Sequence, residues 1–227
     1  MVVISDNAIP VNQITLVEDA LKKGLYQVPR NTSFLGVAGR EYTLTIQTAE
    51  ATVVAKDKLS EVEPLDSIVV EPSLKGAKRF LGIFIYGQEP EGFGNYYEWD
   101  IFINDQLVRE TVILSIMSDR FIDGCYVMKG EIYVDIHDMD NAEKCMLNLN
   151  DNVYVKQNSI SKFVFNFYSQ MSNQINTGSL FSVPTANIKS NFTSSDGRPV
   201  LGLFVARDVS VSNRVVIDQS IVDQLRK

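Results

Sequence analysis

Apolar and polar residues alternate most cleanly over residues 41–48, where Tyr42, Leu44 and Ile46 fall on one side and Thr43, Thr45 and Gln47 on the other. A period of two belongs to a strand with one buried face, so this segment predicts a β-strand, with residues 50–55 folding back on it as a hairpin. Val2-Val3-Ile4, closed by the turn cluster Ser5-Asp6-Asn7, predicts a strand ahead of it, as do residues 13–18 and 24–28. Residues 56–64 are charged and contain a proline, which marks a linker. Beyond it, residues 66–71 read as a strand. Residues 80–86 are apolar on both faces and predict a central, fully buried strand. After a loop rich in Pro and Gly (88–94), Tyr97, Trp99, Ile101 and Ile103 alternate with Glu98, Asp100 and Phe102. Asn104-Asp105 then supplies a tight hairpin turn into residues 106–114. Residues 131–137, 201–206 and 214–217 complete the predicted strands.

The period changes once. Ile160, Phe163, Val164, Phe167, Tyr168 and Met171 are spaced as one stripe of a helix over about residues 159–172. Ser159 is placed to cap its N-terminus, and the polar tail from Ser172 to Ser179 ends it. The pattern predicts a mainly β protein in two regions, residues 1–63 and 64–227, with a single amphipathic helix in the second.

Composition narrows the function more than the fold. The 227 residues carry a formal net charge of -7, against nucleic-acid binding and against an electrostatic hold on anionic lipid. No apolar run is long enough for a membrane-spanning helix, and the first ten residues (MVVISDNAIP) lack the basic and apolar regions of an export signal. Cys125 and Cys145 fit neither a zinc spacing nor a Cys-x-x-C pair; they read as two isolated thiols, with a bridge open if the protein is exported.

Candidate chemistry is sparse. The one histidine, His137, lies among Asp135, Asp138 and Asp140, but strand parity puts it on the polar face opposite Ile132, Val134 and Ile136, at a solvated strand end. Asp138, Asp140 and Asn141 are closely spaced oxygen ligands without the glycine and glutamate of an EF-hand loop, and they read as an incidental acidic loop. Among 28 acidic residues nothing singles out a glycosidase-type pair. Gly92-Phe93-Gly94 precedes a strand, not the helix N-terminus a phosphate loop needs. Asn31-Thr32-Ser33 and Asn191-Phe192-Thr193 are formal glycosylation sequons, relevant only to a secreted eukaryotic protein. Phe93, Tyr96, Tyr97 and Trp99 cluster beside the loop and form the candidate ligand platform, set against ordinary core packing. No catalytic residue, metal site or cofactor is assigned.

Several local patterns, in order, resemble one family. They are the run Gly36-Val37-Ala38-Gly39-Arg40-Glu41-Tyr42-Thr43-Leu44-Thr45-Ile46, then Pro64-Leu65-Asp66-Ser67, and Gly94-Asn95-Tyr96-Tyr97. Ser118-Asp119-Arg120-Phe121-Ile122-Asp123-Gly124 follows, then FSVPTANIKSN at residues 181–191, and Val200-Leu201-Gly202-Leu203-Phe204. Together they resemble the Bacteroidetes outer-membrane lipoproteins that carry domain of unknown function 4249. The resemblance covers about residues 1–217. It implies an N-terminal immunoglobulin-like β-sandwich followed by a second mostly β domain, exported and lipid-anchored near TonB-dependent transporters. It carries no reaction and no catalytic residues. Members of that family begin with a signal peptide, a lipidated cysteine and further strands, so the expectation is an incomplete first domain, exposing strand edges and apolar surface.

In the Ser118–Gly124 motif, Asp119 and Asp123 are expected to accept backbone N–H bonds, Arg120 to pair with either, Phe121 to anchor the loop by burial, and Gly124 to complete the turn. The expected function is a non-enzymatic lipoprotein ectodomain at the outer membrane or cell surface. It would bind a partner such as a TonB-dependent receptor, or a small ligand (glycan, peptide or metal chelate). A structural or adhesive protein–protein module is the second reading and an extracellular hydrolase the last.

Overall fold

A computed structural model describes residues 1–75, 78–108, 115–134, 147–175 and 188–225. In chain order the strands are β1 (Val2–Asp6), β2 (Gln13–Glu18), β3 (Tyr26–Gln27), β4 (Glu41–Gln47), β5 (Thr52–Lys58), β6 (Ser67–Lys75), β7 (Lys78–Gln88) and β8 (Tyr96–Ile103). They continue with β9 (Gln106–Leu107), β10 (Ser115–Ser118), β11 (Tyr126–Val134), β12 (Asn152–Ser159), β13 (Phe192–Ser194), β14 (Val209–Val211) and β15 (Val215–Val216). Helix α1 spans Lys162–Ile175 and a short α2 spans Gln219–Gln224. The fold is mainly β, as the alternation predicts.

The chain divides into two compact units, Met1–Glu61 with Ser159–Asp208, and Val62–Asn158 with Val209–Lys227. The expected division near residue 63 lies close to the first crossing. The expectation that everything after it belongs to the second region needs correction, because residues 159–208, helix included, return to the first unit. Local periodicity says what a segment forms and not which distant strand it meets; here β13 pairs with β5, matching Phe192 to Ala55.

The first unit holds one six-stranded sheet in the order β13-β5-β4-β1-β2-β3. The facing second sheet of an immunoglobulin-like sandwich is not among the described residues. Register places Val2 and Ile4 beside Leu16 and Ile14 on one side and beside Ile46 and Leu44 on the other, giving the sheet one apolar face. Tyr42, Leu59 and Ala206 are its buried centre, packed by Ile4, Phe34 and Phe204. A Cβ on Gly36 would come within 2.6 Å of a Leu59 methyl, so a larger residue there would require the Leu59 side chain to move. The Tyr42 hydroxyl accepts the Val37 N–H at 2.7 Å. Arg40 donates to Asp6 at 2.7 Å, and Asp6 also accepts the N–H groups of Ala8 and Asn12. Burial pushes the Asp6 carboxyl up, but these hydrogen bonds and the Arg40 charge outweigh it and hold the group below its usual range.

Two further expectations change here. Residues 201–206 do not join a sheet. Their backbone is held by side chains instead: Asn191 accepts the Phe204 N–H at 2.9 Å and donates to the Phe204 carbonyl at 2.7 Å, and Asp57 accepts the Ala206 N–H at 2.9 Å. The helix is capped by Ser161, not Ser159. The Val164 N–H donates to the Ser161 hydroxyl at 3.3 Å, whereas Ser159 ends β12 and gives its hydroxyl to the Ser60 carbonyl. Ile160 and Val164 are buried, while Phe163 lies at the exposed rim of the predicted stripe.

In the second unit, β11-β7-β6 form one antiparallel sheet and β10-β8-β12-β14 another, with β15 pairing β12 and β9 pairing β8. β7 is central and buried along residues 80–85, as its apolar run predicts. One core joins the two sheets: Ile68 and Val70, Leu81, Ile83 and Ile85, Tyr97, Trp99 and Ile101, and Val153 and Val155. Asn104 and Asp105 both take positive φ (52° and 63°), forming the predicted tight turn between β8 and β9. On the other face of β8 and β12, the Phe102 and Tyr154 rings stack at 4.7 Å, with Lys156 over the first and Arg214 over the second. This cation–aromatic ladder staples neighbouring strands.

Asp57 is the most demanding polar group of the first unit. Burial pushes its carboxyl up against the opposing hydrogen bonds from Ser161, Ala206 and Lys58. Replacing Asp57 by Ala leaves the buried Ala206 N–H without an acceptor, and the expected cost is about 1–3 kcal/mol. Urea unfolding followed by far-UV circular dichroism checks this; an unchanged midpoint would contradict the bracing role.

Candidate functional site

Two irregular loops of the second unit are locked together. Residues 89–95 connect β7 to β8, and residues 119–125 connect β10 to β11. Asp119 opens a 3-10 turn (Asp119–Phe121) and is 3 % exposed. Its Oδ2 accepts the N–H groups of Gly94 and Asn95 at 2.6 and 2.7 Å, and its own N–H donates to the Asn95 carbonyl at 3.1 Å. Asp123 Oδ1 accepts the Gly92 N–H at 2.7 Å, and the Gly124 N–H donates to the Pro90 carbonyl at 3.3 Å. Gly94 has φ +122°, a conformation costly for any residue with a Cβ, which turns its N–H toward Asp119 together with that of Asn95. The expected acceptor roles of Asp119 and Asp123 are therefore present.

Glu89 lies beneath this knot, 4 % exposed. Its Oε1 accepts from the Asn95 side-chain amide at 3.0 Å, and the Tyr97 hydroxyl is bonded to the same carboxyl. Burial pushes Glu89 above the usual carboxylate range; the bonds from Tyr97 and Asn95 oppose this, and the nearby charges of Asp119 and Asp123 add to it. Tyr97 is driven well above an ordinary phenol by burial and by the Glu89 carboxyl. A cavity of about 20 Å³ lies behind them, lined by Glu89, Tyr97, Trp99, Gln157, Leu65 and Val127. That is room for about one water molecule. Trp99 donates to Gln157 at 2.8 Å, and Gln157 donates to the Glu63 carbonyl at 2.6 Å.

The predicted aromatic platform does not form. Tyr97 and Trp99 share the parity of Ile101, so all three point into the core, with the first two rings stacked at 6.0 Å. Tyr96 faces the other way and is half-buried, and Phe93 stands in the loop at 76 % exposure. Two expectations for the second loop are likewise corrected. Arg120 does not pair with Asp119 or Asp123, whose acceptors face the neighbouring backbone; its guanidinium lies 5.3 Å from the centre of the Phe121 ring. Phe121 is not an anchor, being 88 % exposed. What the loops display is thus Phe93 and Phe121, each on a backbone braced from below.

Glu89 and Asn95 escaped the sequence reading as a bonded pair. Asn95 lies inside the Gly94-Asn95-Tyr96-Tyr97 pattern, but nothing near Glu89 distinguishes it from other strand-end acids. His137, Asp135, Asp138, Asp140, Asn141 and Cys145 lie outside the described residues, and Cys125 is exposed. Among the described residues no group of three or more His, Cys, Asp and Glu is arranged to hold a metal ion. The Asn191 sequon side chain is engaged by Lys56 and Phe204. In the first unit, a cavity of about 280 Å³ lies along α1 beside Phe163, Phe167 and Lys189, and the described residues that line it supply no carboxylate, thiol or imidazole.

The locked loops separate bracing residues from displayed ones. Asp119→Ala removes the acceptor of two N–H groups and is expected to cost about 2–3 kcal/mol. Phe121→Ser, at an exposed position, is expected to stay within about 0.5 kcal/mol of wild type. Urea denaturation followed by fluorescence of Trp99 distinguishes the two; equal effects would contradict the separation.

A model of the family described as Domain of unknown function (DUF4249) matches residues 1–212 of the chain. No curated protein and no solved structure matches it.

Proposed function

The chain belongs to the DUF4249 family, and from that premise we propose that it is a non-enzymatic binding module of the cell envelope. It is the ectodomain of a lipid-anchored protein that engages a partner protein in TonB-dependent outer-membrane uptake. The observation that carries binding is the display of Phe93 and Phe121 on two loops that buried Asp119 and half-buried Asp123 lock together. Exposed aromatic rings on a pre-ordered backbone lose little entropy on docking and remove much apolar surface from water. The form of the tip favours a protein surface over a small ligand, because the cavity beneath it accommodates about one water. The envelope address and the TonB-dependent receptor rest on the family resemblance. No helix among the described residues is long and apolar enough to cross a membrane; the lipid anchor, like the envelope address, rests on the family resemblance.

Reaction chemistry has less support. Asp119 and Asp123 direct their oxygens at backbone N–H groups, and Glu89 is held by Asn95 and Tyr97. Among the described residues none of these carboxylates is bonded to a serine, threonine, cysteine or histidine side chain, and the Tyr97 hydroxyl on Glu89 is buried and driven well above an ordinary phenol. An adhesive role uses the same displayed rings and differs only in the partner.

Photo-crosslinking from position 93 or 121 of the full-length gene product, in cells of its native host, tests the reading. The expected result is an adduct with an outer-membrane receptor. A Phe93→Ser/Phe121→Ser variant should lose at least about tenfold in co-purification of that receptor, equivalent to about 1.4 kcal/mol. Fractionation away from the membrane, or full retention of the receptor by the double variant, would refute it.

A further inference from the structure

We propose that Glu89 is a proton-operated latch: neutral, it steadies Asn95 in the bonds that Asn95 makes to Asp119 of the second loop, and ionised, it loosens the two tip loops and the display of Phe93 and Phe121. The geometry carries this through Asn95, which serves two carboxylates at once. Its side-chain amide donates to Glu89 at 3.0 Å while its backbone N–H donates to Asp119 at 2.7 Å. The groups that face Glu89 are Tyr97 from β8, Asp119 from the 3-10 turn and Asp123 from the loop after it. Glu63 adds its charge beside Tyr97, and the Cys125 carbonyl accepts the Glu89 N–H at 2.9 Å. All the charged groups in that set are acidic. Arg120, the one cation of the two loops, lies over Phe121 instead. Ionising Glu89 therefore places a further negative charge in a buried site already holding Asp119, with no counter-charge beside it among the described residues.

The sign follows from the raised position of Glu89. A carboxyl that binds its proton more tightly folded than unfolded contributes stability fully below its ordinary value of 4.5. That contribution is lost as pH rises through the higher folded value. Asp6, Asp196 and Asp218, held below the usual carboxylate range by their hydrogen bonds, act in the opposite sense, so the latch is read as a difference between variants and not from the wild type alone. Glu89→Gln keeps an acceptor for Asn95 and Tyr97 while removing the charge.

Hydrogen exchange of the Gly94 and Asn95 amides in the intact chain, normalised for intrinsic rate and taken from pH 4 to pH 8, provides the test. In the wild type the normalised exchange should rise with pH by about tenfold for each pH unit that separates the folded and ordinary values. In Glu89→Gln this rise should be absent, leaving only the pH dependence of the other carboxylates, and Trp99 fluorescence should show the same contrast. Parallel profiles in the two proteins would overturn the latch. Should Glu89→Gln fail to fold, Asp123→Asn removes one facing charge and retains an acceptor for Gly92. A reduced pH response in that variant supports the latch, and an unchanged response overturns it. The measurement needs no partner, so its failure is separate from failure of the binding reading.

Discussion

Backbone N–H groups that leave a strand ladder must find acceptors elsewhere, and in this protein buried aspartates supply them. Asp6 accepts the N–H groups of Ala8 and Asn12 at the β1–β2 turn, Asp57 that of Ala206, and Asp119 those of Gly94 and Asn95. Asn191 does the same for Phe204. Each stands at a place where the chain is irregular and packed against a sheet. A buried main-chain donor without a partner costs about as much as the hydrogen bond it lacks. The loops thus depend on a few acids that hydrophobic patterning would assign to the surface.

That dependence shapes the function. Bracing by buried acids frees the outer positions of the tip loops from any packing duty, and Phe93 and Phe121 occupy those positions. The same bracing concentrates negative charge beneath the tip. Rigidity and proton sensitivity therefore share one origin: the carboxylates that order the loops also repel one another. A cation in the cluster would relieve the repulsion, but Arg120 is turned outward onto Phe121.

Patterning was legible wherever one local period governed a segment. The alternation at residues 41–47, the two-sided apolar run of β7 and the Asn104-Asp105 turn all appear as read, because period, burial and turn chemistry agree there. Strands β12, β13 and β14 were not foreseen. β13 and β14 have three residues each and owe their extended form to distant partners in β5 and β12. Residues 201–206 show the reverse: an apolar run that reads as a strand is held by Asn191 and Asp57 and joins no ladder. Parity was available for Tyr97 and Trp99, yet grouping them with Phe93 as a platform ignored that residues two apart on a strand share a face with its core.

By itself, the sequence determined the mainly β class, most strand faces, the helical stripe and the roles of Asp119 and Asp123 as loop acceptors. These follow from interactions within a few residues or from the burial preference of single side chains. Tertiary structure alone decided the return of residues 159–208 to the first unit, the outward turn of Phe121 and the meeting of Glu89 with Asn95, Tyr97 and Asp119. Those depend on contacts between distant segments, and loop closure over such separations is nearly indifferent to local composition. Whether an acid braces a loop or is merely solvated is settled by which donors the fold brings to it.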